Sequence, residues 1–354
     1  MFEIIYLSLA VLLLVLTLAP LSRAQVWWIR GLDFPRLQLS VLLAALLIVG
    51  LVVIRDWNSI NAVTLGLIIG CLVCQLWWVV PYTFFFPKEV EAVRPGNANG
   101  RLRIMTANVL TPNHNSDGLL KLVHDFTPDV LVTLESDDWW QEKLDAIESD
   151  YPHTVKVPLD NLYGMHVYSR YALSDVSVEY LVEDDKPSVH CFIELPCGQK
   201  VKAHFVHPAP PSPSENEESA ERDAELVLVA RRVEPEKYPT IVTGDLNDVA
   251  WSRTTLLFRK LSGLLDPRIG RGMFNTFHAE YWFARWPLDH IFHSHHFALV
   301  SMTRLPGFGS DHFPLLTELA LAPGENGVDD GPSPDEDDKE AADEIVNKAL
   351  FFFF

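Results

Sequence analysis

The chain opens on long apolar runs and turns to short alternating ones only after about a hundred residues. Phe2 to Leu21 holds a single acid, Glu3, and is close to the ~20 residues that cross a bilayer as a helix. Leu37 to Ile54 supplies 18 residues without a charge, and Ala62 to Phe86 a third uncharged run. This predicts three transmembrane helices. The third run closes on Trp77, Trp78, Tyr82 and Phe84 to Phe86, residue types that settle at a membrane–water interface. The first run lacks a basic leader and a small-residue cleavage site after it, so it reads as a retained span and not a removable signal.

From residue 101 the period shortens. Leu102 to Ala107 and Val130 to Leu134 read as strands, with Asp117 to Phe126 helical in spacing between them. Met165 to Tyr168, Val189 to Leu195, Val201 to Val206, Thr240 to Thr243, Leu288 to His293 and Phe313 to Leu319 read as further strands. Ser214 with Glu217 has capping-box spacing and predicts a helix running through Leu226, Val229 and Val233. The chain thus divides into a membrane region at 1–88, a Pro- and Gly-containing linker at 89–100, a soluble body at 101–320 and a tail at 321–354.

Charge sharpens this division. Residues 1–100 carry 6 Lys/Arg against 5 Asp/Glu, the body 20 against 32 and the tail 2 against 10. A body this acidic is ill suited to coat a duplex through phosphate neutralisation. The tail is too acidic and too poor in apolar residues to offset its ordering entropy, which predicts disorder. Arg23, Arg30 and Arg36 follow the first span and Lys88, Arg94, Arg101 and Arg103 the third, whereas the second loop has only Arg55. That bias predicts a multi-pass cell-membrane protein with its body on the cytoplasmic side. Four cysteines, two of them inside an apolar run, exclude a disulfide scaffold.

Candidate chemistry collects at strand ends. Asn108 closes the first soluble strand and Glu135 the second; His207 follows Val206. Gly244-Asp245-Leu246-Asn247 follows a strand, and Asp245 and Asn247 share one side if the backbone stays extended. Later come Leu288-Asp289-His290-Ile291 and Ser310-Asp311-His312-Phe313-Pro314. An acid within an apolar strand is costly unless it is paired or bound to a metal. A second cluster, His290, His293, His295 and His296, is a rival metal site, although alternation along a strand need not bring its rings together.

In this order the motifs resemble those of the endonuclease/exonuclease/phosphatase superfamily over residues 101–320, and Gly164 to Arg170 is similar to its central Gly-x-x-x-x-Ser-Arg strand. The resemblance implies a four-layer α/β sandwich, two packed mixed β-sheets flanked by helices, here preceded by three transmembrane helices. It implies a phosphoester hydrolase working by direct attack of water. Glu135, with Asn108 and Asp311, would hold a divalent ion, Mg2+ or alternatively Mn2+. Asp245 would orient or deprotonate the water, and Asn247, His207 and Arg170 would contact substrate. Asp289 would fix the tautomer of His312, which stabilises the transition state. The implied partners are a phosphoester substrate, nucleic acid or lipid headgroup, and the bilayer, with no protein partner. A phosphodiesterase or nuclease is the leading reading, a sphingomyelinase-like or phosphoinositide-type lipid enzyme the second, and an inactive membrane scaffold the contrasting class.

Overall fold

A computed structural model of the chain describes residues 2–94, 100–213, 215–235, 237–321 and 331–351. Its elements are α1 (Phe2–Leu18), α2 (Trp27–Arg30), α3 (Arg36–Val53), α4 (Ser59–Val79), β1 (Arg101–Asn108), α5 (Ser116–Phe126), β2 (Val130–Leu134), α6 (Asp138–Leu144), β3 (His153–Val157), β4 (Met165–Ser169), β5 (Leu173–Glu179) and β6 (Ser188–Glu194). There follow β7 (Lys200–Val206), α7 (Ala220–Arg232), β8 (Thr240–Asp245), α8 (Arg253–Ser262), β9 (Asp289–His293), β10 (Phe297–Arg304), β11 (Leu315–Leu321) and α9 (Glu336–Phe351).

Three helices, spanning Glu3–Leu21, Arg36–Val53 and Ser59–Tyr82, are long and apolar enough to cross a membrane. Leu13, Leu43, Leu65 and Ile68 pack between them, whereas Ile4, Leu12, Val41, Leu51, Ile60 and Val73 face outward. A polar thread crosses the end nearest the body. Asp33 accepts from Arg36 at 2.6 Å, Arg36 donates to Gln75 at 3.2 Å, and Gln75 donates to Thr17 at 3.1 Å. Such buried polar groups persist inside an apolar bundle only when each has a partner.

The body is two sheets, ordered β10-β11-β1-β2-β4-β3 and β5-β6-β7-β8-β9. Alternation makes the layers. Ile104, Val130, Val132 and Val167 face Val189, Ile193, Phe205 and Ile241 between the sheets. Met105, Leu131 and Tyr168 point the other way, against Leu119, Leu122 and Trp140 of α5 and α6. Val242 and Phe292 likewise meet Leu226, Val229 and Phe258 of α7 and α8. The result is the four-layer sandwich, helix, sheet, sheet, helix.

Strand direction is what gathers the chemistry. β1 pairs in parallel with β2 and β7 with β8, so both pairs release their carboxyl ends at one rim. β9 runs antiparallel to β8 and starts at that rim, with Asp289 opposite Asp245.

Three expectations change. The tail is helical over Glu336–Phe351, because Ala342 and Val346 bury against Val227 and Leu257 while Asp338 and Asp343 meet Lys260 and Arg231. Composition had averaged the two faces of an amphipathic helix; residues 322–330 lie outside the described residues. Ser214 also lies outside them, and its helix begins only at Ala220: Glu217 O accepts from the Trp27 N–H at 3.0 Å and the Ser219 N–H donates to Gln25 O at 2.8 Å, so that stretch is spent on pairing. The first residues of the expected linker are docked. Glu89 accepts from the Asp266 N–H at 2.7 Å and meets Arg259, and Val90 is buried.

Candidate active site

Each strand end aims a side chain at the rim through a local device. Glu135 has φ 58°, a left-handed turn right after β2 that swings its carboxylate off the strand line. Thr111 Oγ1 secures the same turn by donating to Glu135 O at 2.7 Å. Gly244 cannot be replaced by a larger residue, since an added Cβ would stand 1.8 Å from Val206 O. Thus β7 and β8 come close enough to put His207 beside Asp245, with His207 Nε2 4.0 Å from Asp245 Oδ2.

The groups form one connected set. Asn108 Nδ2 donates to Glu135 Oε1 at 2.7 Å and to Asp245 Oδ2 at 3.3 Å, bridging the two sheets. His312 Nδ1 lies 2.8 Å from Asp289 Oδ2, and its Nε2 3.5 Å from Asp245 Oδ2. Ser310 Oγ donates to Asn108 O at 2.8 Å and accepts from the His312 N–H at 3.1 Å, which fixes the last loop on the first strand. The ring of Phe277 packs 4.9 Å from His312, and Tyr163 packs 5.1 Å from His207.

The electrostatics follow from burial. Burial pushes the Glu135 carboxyl up to about 7, against the Asn108 hydrogen bond and the His312 charge. Asp245 is also raised, mainly by burial. Burial alone would lower His312, but Asp289 and Asp245 hold it up at about 10. His207 is lowered to about 4, chiefly by burial, and is neutral at pH 7. Among the described residues, neither Glu135 Oε2 nor Asp289 Oδ1, both buried, has a hydrogen-bond partner.

These facts test the fit of a divalent ion. Asp245, Asp289 and His312 offer ligand atoms within 4.8 Å of one another and form a buried candidate metal cluster. With no ion bound, the two carboxylates hold the His312 imidazole charged, and in that form it has no lone pair to give; the cluster offers a nitrogen donor only once that proton leaves. Glu135 Oε2, a buried oxygen without a hydrogen-bond partner among the described residues, has the donor chemistry that a hard divalent ion takes.

Other expected residues fall differently. One Asn247 amide hydrogen already bonds Pro208 O at 3.0 Å, and its backbone N–H donates to Asp245 Oδ1 at 2.9 Å. Asn247 therefore braces the β7 and β8 loops, and at φ 50° its backbone is not extended as the spacing argument assumed. Arg170 does not join the site. It follows Ser169, which pairs with Val130 at the opposite end of the sheet from Glu135, and its guanidinium lies 4.9 Å from the Tyr151 ring. Gly164, at the other end of that motif, lies near the rim, where an added Cβ would strike Ser136 O. The rival histidine cluster does not converge: His290 Nε2 donates to Asp248 O at 2.9 Å, its Nδ1 accepts from Arg268 at 2.6 Å, and His293 Nδ1 turns to Ser294 O. Asp311, half-buried, lies close enough to act electrostatically on both Glu135 and His312.

Sequence reasoning missed Arg222. This buried arginine of α7 donates to Asn247 O at 2.9 Å and pairs with Asp223 at 2.9 Å and Asp248 at 3.1 Å, holding the loop that carries Asp245. Nothing in its local sequence marks it, since it sits in a run of helix charges. Phe277 and Tyr163 were missed for the same reason: only pairing across the fold brings them to the histidines.

The model of the Endonuclease/Exonuclease/phosphatase family matches residues 105–312, and the chain belongs to that family. It carries a phosphoesterase domain with a buried Asp/Asp/His candidate metal site. An endonuclease/exonuclease/phosphatase structure from Beutenbergia cavernae superposes with a TM-score of 0.53 at 18% identity, covering 63% of this chain and 72% of that one. One from Bacteroides vulgatus gives 0.52 at 18%, covering 63% and 100%. The human Nocturnin catalytic domain with bound sulfate anion gives 0.53 at 18%, covering 66% and 98%. At such identities these likenesses speak for the fold. No curated protein matches the chain.

Proposed function

We propose that the protein is a membrane-anchored, Mg2+-dependent hydrolase of a phosphodiester, a nuclease or a related enzyme, acting by direct attack of water. The observation that carries this reading is the orphaned Glu135 Oε2 in one rim with Asp245 and the Asp289–His312 pair. Glu135, with Asn108 and Asp311, would hold the ion, which when bound offsets charge on the phosphate and the leaving oxygen. Asp245 orients the attacking water and accepts its proton, a role suited to a carboxylate raised by burial. His312, charged and fixed by Asp289, donates toward the phosphate oxygens as charge develops. The second Asn247 amide hydrogen and the neutral His207 ring complete the oxygen contacts.

A lipid phosphoester is the second reading, favoured by the loop between Phe277 and Trp286. Its ends pair with each other and with His312, while its tip exposes Tyr281, Trp282 (81%) and Phe283 (61%). Gln38, in the first turns of α3, donates to Phe283 O at 3.0 Å. The aromatic tip therefore stands at the depth where α3 enters the apolar zone, beside the mouth of the site.

The test is the full chain in lipid nanodiscs with Mg2+ and bis(p-nitrophenyl) phosphate, followed by single-stranded and duplex DNA, RNA, sphingomyelin, phosphoinositides and nucleotides. Hydrolysis by the native protein and its loss in Asp245→Ala and His312→Ala supports the reading. Equal rates in all three would leave the inactive scaffold. The Lys/Arg bias supports a cytoplasmic body, which a reporter fused to the carboxyl terminus can check.

A further inference from the structure

A second concentration of charge lies where α1 leaves the apolar bundle. Ser22 O accepts from both Arg30 Nη2 at 2.8 Å and Arg253 Nη1 at 3.1 Å, so two guanidinium groups share one carbonyl. Arg30 also donates to Pro20 O at 3.1 Å and Arg253 to Leu21 O at 2.7 Å. Arg23, the next residue, makes three cations around one turn of chain. Their counter-charges are incomplete. Among the described residues Arg30 has Asp33 at 3.5 Å, and Arg23 has only a solvent-exposed Glu344 at 3.6 Å. Among the described residues no carboxylate lies within 4.0 Å of Arg253. Burial first, and then the nearby Arg30 and Arg23, depress the Arg253 guanidinium below its ordinary value, against the pull of Asp33.

These three arginines line a cavity of about 380 Å³ whose other wall includes Trp78, Leu256 and Ile345. The volume is within the ~300–1,000 Å³ of small-molecule sites. Trp78 belongs to the last turn of α4 and Ser22 follows the first apolar helix, so with these helices in a bilayer the cavity would sit at the level of the lipid headgroups. Its lining carries five Lys/Arg against three acids beside apolar side chains, and it is separate from the rim that holds Glu135 and His312. Asp223, which also lines it, is engaged by Arg222 at 2.9 Å and Ser219 at 2.8 Å, and Asp338 by Lys260 at 2.7 Å. Those acids are therefore not available to neutralise Arg253.

We propose that this cavity binds the phosphate of an anionic membrane lipid, with Arg23, Arg30 and Arg253 around the phosphate oxygens and the glycerol and upper chains against Trp78 and Ile345. Arginine suits this ligand because its planar fork meets two oxygens at once. Occupancy ties together the exit of α1, the start of α8 and the face of α9. The inference rests on the three apolar helices lying in a bilayer and is independent of the hydrolytic reading.

The test uses the full chain in phosphatidylcholine nanodiscs, with and without phosphatidylglycerol, and reads lipid retention by native mass spectrometry and the thermal unfolding midpoint. Phosphatidylglycerol should be retained and should raise the midpoint. Arg253→Gln should weaken retention by about tenfold, the scale of one charge-assisted contact, and Arg253→Lys should recover part of it. Should Arg253→Gln fold poorly, quenching of Trp78 by spin-labelled phosphatidylglycerol, assigned by its loss in Trp78→Phe, gives the same answer in the otherwise native chain. Unchanged retention in Arg253→Gln, absence of that quenching, or an equal rise of the midpoint with inorganic phosphate in pure phosphatidylcholine would overturn the lipid assignment.

Discussion

Thr106 of β1 and Thr243 of β8 meet hydroxyl to hydroxyl at 2.9 Å, one from each sheet, directly beneath the active rim. Thr243 gives its proton to His290 O at 2.7 Å, so Thr106 must be the donor between them. Two buried hydroxyls thus set the separation of the strands that end in Asn108 and Asp245. Thr243→Val keeps the shape but leaves Thr106 without an acceptor and His290 O without this donor. We expect a loss of about 1–3 kcal/mol, read by chemical denaturation, and a lower kcat; unchanged stability would show that water takes over the bond.

In the proposed mechanism Asp289 acts through His312, whose Nδ1 lies 2.8 Å from its Oδ2. Asp289→Asn keeps the volume but withdraws the charge that helps hold the imidazole protonated. The expected result is a fall in kcat of about 10²–10⁴-fold, the range of a proton-handling group, with KM for bis(p-nitrophenyl) phosphate little changed. A loss confined to KM would assign the pair to binding.

Metal dependence can be read without turnover. Mg2+ at about 100 times its Kd should stabilise the native chain by about 2.7 kcal/mol, and EDTA should abolish both that gain and activity. Glu135→Gln keeps the Asn108 side of the site but gives up the anionic oxygen. Calorimetry showing the same Mg2+ gain in this variant would move the ion to the Asp245, Asp289 and His312 cluster.

The pair His190 and His204 predicts acid sensitivity away from the site. Their Nδ1 atoms are 2.8 Å apart, so they share one proton, and burial lowers His190 to about 4 and His204 to about 3. An unfolded histidine titrates near 6.5, so below that pH the unfolded chain binds more protons than the folded one. Stability from the pair is full above about pH 6.5 and is lost as pH falls toward the folded values, by up to about 1.4 kcal/mol per pH unit for each proton. Urea midpoints at about pH 7.5 and about pH 5 should converge in His190→Phe/His204→Val relative to the native chain.

The aromatic loop separates the two substrate readings. Trp282→Ser/Phe283→Ser should leave hydrolysis of a soluble phosphodiester intact and cut hydrolysis of a lipid presented in vesicles by on the order of tenfold or more, since each buried aromatic contributes about 1.5–3 kcal/mol to partition. Equal losses on both substrates would make the loop part of the catalytic mouth and not a membrane contact.

Much of this was legible in the chain. The expected strands at Val130, Val189, Val201 and Thr240 are present within a residue or two. β3, β5 and β10 were not foreseen: β3 is half-buried throughout, and β5 and β10 carry bulges where pairing slips. α6 and α8 were missed as well, being short helices of 7 and 10 residues. Arg170 went wrong because a motif spanning a strand has two ends, and the sequence does not say which end faces the rim.

Local pattern by itself determined the apolar spans, the alternating strands and the polar residue at each strand end, because hydrophobic period and turn chemistry act over a few residues. Tertiary structure alone decided that β1–β2 and β7–β8 run parallel, that Arg222 clamps the Asp245 loop, that α9 docks and that Arg253 bonds the Leu21 and Ser22 carbonyls with no carboxylate within 4.0 Å among the described residues. Each depends on contacts between residues far apart in the chain, whose strength comes from burial and charge neighbours that exist only after the layers close.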